Sequence, residues 1–172
     1  MKKRFIATIL IAAVTLTGCA TKENTELFDF TVTELVDTMS DEFLLSLEHS
    51  TTIDDAENDT KISAYRWWTD ENKGNAFQYQ ISYDDAEEKV SHISFFFDKS
   101  IKDARIYYLL HIGAIAEIIE PGIDTEAVFD AISDVNGIEN ATEIYTGESF
   151  YLFASCSDTY FDASFRPIEN DK

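Results

Sequence analysis

Glycine, proline, histidine and cysteine are all scarce in this chain of 172 residues, which has six, two, three and two of them. Six glycines leave little room for a phosphate-cradling loop, and neither a glycine-rich phosphate motif nor a dinucleotide fingerprint occurs. No serine stands in the Gly-x-Ser-x-Gly elbow of an esterase. His49, His92 and His111 have no partner at metal-ligand spacing, so the sequence offers no zinc site, and no cofactor is expected. Positive charge is also short: 13 lysines and arginines face 33 acids, a formal charge of −20. Such a field repels phosphate backbones and anionic headgroups, so nucleic acid is not an expected partner. It favours solubility and, more weakly, cationic ligands.

What is present begins at the N-terminus. Lys2, Lys3 and Arg4 precede an apolar run from Phe5 to Leu16, broken only by Thr8 and Thr15. The run is shorter than the about 20 residues of a transmembrane helix, and the layout is that of a secretory signal. Leu16-Thr17-Gly18-Cys19 closes it and resembles the lipobox of bacterial lipoproteins. The resemblance implies cleavage between Gly18 and Cys19, with palmitate-class acyl chains on Cys19. The protein would then sit on the extracytoplasmic side of a cell membrane. Acyl chains contribute about 0.8 kcal/mol per buried CH₂, so two or three hold durably where one does not.

Residues 1–18 are then signal, 19–28 a lipidated tether, 29–168 a single domain and 169–172 a polar tail. Without the 18 signal residues, 154 of the 172 remain, which suits one domain that needs no disulfide or metal. The signal carries three of the basic residues and no acid, so the charge deepens from −20 to −23. Lipid on Cys19 also leaves no second cysteine for Cys156 to bridge. Cys156 lies in the apolar run 150–156, which predicts a small buried hydrophobe rather than a catalytic thiol.

Periodicity sets the elements. Thr31-Val32-Thr33-Glu34 has capping-box spacing, flanked by Phe30 and Leu35 as a hydrophobic staple. Val32, Leu35, Val36, Met39, Phe43 and Leu47 repeat at helical spacing and predict a core-facing helix from Val32 to Leu47. The polar stretch from Glu48 to Ile62 reads as a loop. Strands are expected at Ala64–Thr69, Ala76–Tyr83 and Val90–Phe97, with Phe77, Tyr79, Ile81 and Tyr83 on one face. Arg105–Ile119 is apolar on nearly every side, which predicts a mostly buried helix. Pro121-Gly122 stops it, Asp124 caps the next, and Asn136-Gly137 ends that one. Strands at Thr142–Thr146, Phe150–Cys156 and Tyr160–Arg166 close the chain. The expected fold is α+β, an antiparallel sheet or two smaller sheets with helices on one face. The predicted order is helix, three strands, two helices, three strands, a possible tandem pseudo-repeat.

The capped helix at Phe30-Thr31, the Ile118-Ile119-Glu120-Pro121 break into Asp124-Thr125-Glu126, and the closing hairpin resemble small uncharacterised lipoproteins of gut Firmicutes. That resemblance brings no activity with it. The tandem order is similar, in topology only, to beta-lactamase-inhibitor-type modules, which bind proteins.

Chemistry is thinly marked. Asp55, Glu57 and Asp59 alternate like the first ligands of a calcium loop, but the turn glycine is missing and Arg66 stands where the closing acid belongs. A solvated acidic loop is the expectation, with no metal. A thiol–imidazole pair of His92 and Cys156 is not expected. With 33 acids, carboxylate pairs of glycosidase type arise by chance and carry no signal. Trp67 and Trp68 are adjacent on a predicted strand, so they point to opposite faces. One is expected under the helices. The other, beside Tyr65, Tyr79 or Tyr83, would form a flat aromatic platform, making Trp67, Trp68, Tyr79 and Tyr83 the candidate ligand-binding residues. The alternative is that both tryptophans serve the core. The functional expectation is a lipid-anchored, non-enzymatic module that binds a protein or extracellular ligand. The alternative is a hydrolase of envelope or extracellular polymers working through carboxylates.

Overall fold

The computed structural model describes residues 26–55, 59–69, 77–133, 135 and 138–168. The lipobox, the end of the third predicted helix at Asn136-Gly137 and the polar tail lie outside these residues. The first helix, α1 (Val32–Phe43), starts where the capping box places it. Thr31 Oγ1 accepts from the Glu34 amide at 3.2 Å, and the Glu34 carboxylate accepts from the Thr31 amide at 2.8 Å. The helix ends before Leu47, because Leu44 turns into the left-handed region at φ 58°. That turn drops Leu45 into the core and leaves Leu44 84% exposed.

Four strands follow: β1 (Glu48–Asp55), β2 (Thr60–Trp67), β3 (Phe77–Asp84) and β4 (Val90–Asp98). Next come α2 (Ala104–Ile119) and α3 (Thr125–Ser133), then β5 (Thr142–Thr146), β6 (Phe150–Cys156) and β7 (Tyr160–Pro167). The expected loop from Glu48 to Ile62 is therefore wrong. It contains all of β1, His49 included, and the beginning of β2. β1 is an edge strand exposed along nearly its whole length, so it needs no apolar alternation. With β1 included, the order is one helix, four strands, two helices, three strands, and the two meanders do not match as tandem copies.

All strands join one seven-stranded antiparallel sheet in the order β1-β2-β3-β4-β7-β6-β5. The last strands of the two meanders, β4 and β7, meet at its middle with Ile93 opposite Phe165. One face carries Phe77, Tyr79, Ile81, Ile93, Phe95, Phe97, Phe165 and Leu152, all buried in one cluster with Leu35, Met39, Ile112, Ile115 and Val128 from the helices. The alternate positions, such as Gln78 and Gln80, face away from the helices.

α2 is buried around His111 to Ala116, whereas Ile106 and Leu110 near its start are 64% and 44% exposed. Asp124 Oδ1 caps α3, accepting from the amides of Glu126 and Ala127 at 3.1 and 3.2 Å. Scarce glycine has a visible consequence: Leu44, Asp59, Glu88 and Asp103 all take positive φ, a conformation that glycine enters without steric penalty.

Candidate functional site

The aromatic residues singled out from sequence do not form one platform. Trp67 ends β2 on the helix-covered face, buried against Phe77, Tyr107 and His111 at ring separations of 4.9, 5.1 and 4.6 Å. Tyr79 is 1% exposed on the same face, its hydroxyl hydrogen-bonded to His111 Nδ1. Helix α2 covers both residues. Trp68 follows the strand and is half-buried. Tyr83 is also half-buried, with the Ser63 hydroxyl 3.5 Å from its own. Cys156 is buried on the helix side, opposite Phe161, whereas His92 pairs with Ser82 on the other face. The sheet itself therefore separates that thiol from that imidazole.

A different region has the shape of a binding site. A cleft of about 560 Å³ lies between the N-terminal segment, α1, the end of α2, the β5–β6 turn and the end of β7. Each wall has a local cause. Residues 27–30 run beside the start of β4, the Phe28 amide donating to Val90 O at 2.8 Å and the Val90 amide to Phe30 O at 3.1 Å. On α1, Glu34, Thr38 and Glu42 line the cleft because residues four apart share a helix face. From α2, Glu117, Ile118 and Ile119 contribute its last turn.

The β5–β6 turn is held by Glu120, whose carboxylate accepts the Glu148 and Ser149 amides at 2.8 and 3.1 Å. Gly147 makes that approach feasible, since a Cβ there would lie 2.6 Å from the same carboxylate oxygen. Ile168 closes the last wall, its amide donating to Ser149 O at 3.1 Å.

The lining is two-toned. Phe30, Phe43, Ile118, Ile119 and Pro167 supply apolar surface, while Asp29, Glu34, Glu42, Glu117 and Glu148 supply acid, and no lysine or arginine lines it among the described residues. Asp29 pairs with Lys89 at 2.7 Å, and that hydrogen bond and charge hold its carboxyl below the usual carboxylate range. Glu34 is lowered likewise by the backbone and side-chain hydrogen bonds of Thr31. Glu117 accepts from the Gly122 amide at 3.0 Å. Neither α1 nor α2 has a basic residue in its last turn, so the negative ends of two helices also border the cleft.

The opposite sheet face holds a raised carboxyl. Asp162 is half-buried beside Ser155, whose hydroxyl donates to it at 2.9 Å, and burial pushes its pKa up despite that bond. Nearby, Arg166 lies over the Phe153 ring at 4.8 Å, and Tyr160 meets Phe96 edge-on at 6.1 Å. His92 shares this face. Burial, and secondarily the Arg166 charge, bring its pKa down to about 4. Among the described residues no group of three histidine, cysteine, aspartate or glutamate side chains gathers to hold a metal.

Together these features define an α+β domain, one antiparallel sheet backed on one face by helices, with a lateral acidic cleft. No protein-family model, curated protein or solved structure matches the chain.

Proposed function

We propose that the protein is a lipid-anchored extracytoplasmic binding module, without catalytic activity of its own, and that the cleft holds its ligand. The cleft itself carries this reading: apolar and acidic side chains share its walls, and its volume lies inside the roughly 300–1,000 Å³ range of ligand pockets. Its first wall, residues 27–30, continues directly from the lipidated tether proposed for residues 19–28. Fully extended, those ten residues span no more than about 35 Å, so the ligand is taken close to the membrane.

The pKa directions favour binding over hydrolysis. A carboxylate-based hydrolase needs a proton donor with a raised pKa facing its partner. In the cleft, Asp29 and Glu34 are displaced the opposite way. The raised Asp162 stands on the other sheet face beside Ser155.

Two measurements test the reading. Mass spectrometry of the membrane fraction is expected to find the chain starting at acylated Cys19, and an unmodified Cys19 or a retained Met1 overturns the anchor. Affinity capture from membranes with the full chain is expected to lose its bound species in Thr38→Trp, which fills the middle of the cleft. Capture that is unchanged by this substitution removes the cleft as the site.

A further inference from the structure

Three features outside the cleft specify no ligand. The exposed Ile106 and Leu110 pair on α2 has nothing beside it that specifies an occupant. The Asp162–Ser155 pair has its hydrogen bond satisfied internally. The β1 edge carries a register shift between His49 and Thr51 and acids at both ends, features that discourage strand addition. The cleft is the feature whose shape and charge both specify a ligand.

We propose that the cleft takes a basic amphipathic peptide segment in extended form, an inference that rests on the cleft being the binding site. Charge sets the sign. Five acids, of which Asp29 is already paired with Lys89, and the C-terminal turns of two helices border the cleft, with no lysine or arginine lining it among the described residues. The carboxylates of Glu42 and Glu148 have no hydrogen-bond or ion-pair partner among the described residues, so a ligand can engage them without breaking an existing bond. Glu34 stays ionised and fixed by Thr31, which presents its charge in a preset position.

Spacing points to a peptide rather than a lone amine. Glu34 and Glu42 are eight residues apart on α1, about 12 Å along its axis at about 1.5 Å per residue. A single ammonium cannot reach both. An extended chain advances about 3.3 Å per residue, so side chains at i and i+4 lie about 13 Å apart on one face, with i+2 between them. Basic residues at i and i+4 therefore match the two glutamates. The apolar lining of Phe30, Phe43, Ile118 and Ile119 gives an apolar residue at i+2 surface to bury.

The experiment uses the full chain and fluorescence anisotropy of a dye-labelled, end-blocked pentapeptide, Lys-Ser-Leu-Ser-Lys. Two relatives serve as comparison, one with glutamates replacing both lysines and one with serine replacing leucine. The lysine–leucine peptide is expected to bind best, to weaken as salt rises, and to bind about five-fold or more weakly to Glu42→Gln/Glu148→Gln. Thr38→Trp is expected to abolish its binding. Equal binding of the glutamate peptide, or no effect of the double glutamine variant, overturns the cationic ligand while leaving the cleft as the site if Thr38→Trp still blocks. Equal binding of the serine-centred peptide overturns the apolar requirement. Binding that survives Thr38→Trp takes the cleft reading down as well, and absence of binding by all three overturns the peptide proposal.

Discussion

His111 enters the core as a neutral ring. Burial depresses its pKa to about 3, Trp67 and Phe97 meet it edge-on at 4.6 and 5.3 Å, and Tyr79 bonds its Nδ1. Its Nε2 is buried without a hydrogen-bond partner among the described residues, so the Tyr79 hydroxyl at Nδ1 anchors the ring. Tyr79→Phe is expected to destabilise the fold by about 1–3 kcal/mol, read as a lower urea midpoint. Combined with His111→Leu, the loss should be smaller than the sum of the single losses, because no buried polar group is then left stranded.

The buried histidines also set an acid limb. Their folded pKa values lie below the unfolded value near 6.5, so the unfolded state binds more protons as the pH drops. Stability is therefore complete above about pH 6.5 and is lost as the pH falls toward 4 for His92 and toward 3 for His111. For His92 this amounts to about 3 kcal/mol. The raised Asp162 acts with opposite sign, favouring the native state when protonated, and offsets part of the loss. Urea titrations between pH 7 and 4 should show the decline, and His92→Gln should flatten it. An unchanged slope in that variant assigns the limb elsewhere.

At the scale of elements, the ends matter most. Leu44 holds a left-handed φ of 58° with its side chain in solvent, so it bears backbone strain with little packing in return. Leu44→Gly is expected to raise stability by about 0.5–1 kcal/mol, since glycine removes the Cβ clash at a helix C-terminus. A lower thermal midpoint would show that the leucine contributes more than its exposure indicates.

Whether an element could be read from sequence followed how local its signal was. The α1 start was legible because Thr31 and Glu34 satisfy each other within one turn. The strands β3, β4, β6 and β7 were legible because one of their faces is buried. β1 was not, since an edge strand such as Glu48-His49-Ser50-Thr51-Thr52 leaves both faces in water and shows no alternation. The all-round apolar α2 foretold burial, but not that Ile106 and Leu110 would remain outside. The cleft was illegible for a different reason. Its walls come from five separate segments, and its acids were indistinguishable among 33 until the fold placed Glu42, Glu117 and Glu148 around one opening.

For the whole molecule, charge is the dominant unbalanced quantity. With a formal charge of −20 and ion pairs such as Lys61–Asp85 at 2.5 Å and Lys89–Asp29, self-repulsion opposes compaction. The thermal midpoint is expected to rise by several degrees as sodium chloride increases from about 10 to about 200 mM, because screening shortens the reach of that repulsion. A midpoint that falls with salt would mean that attractive pairs outweigh it.

The segment at residues 28–31 has a mechanical consequence. Phe28 and Phe30 exchange backbone hydrogen bonds with Val90, and Thr31 bridges to Lys89, at the head of the strand that seams the two meanders together. A pull on the chain ahead of Leu27 is therefore delivered to β4, not to a peripheral strand. Flanked by β3 and β7, that strand passes the load to both halves of the sheet. A tether fixed there can be tugged without peeling the domain open from an edge, and the cleft wall lies on that same load path.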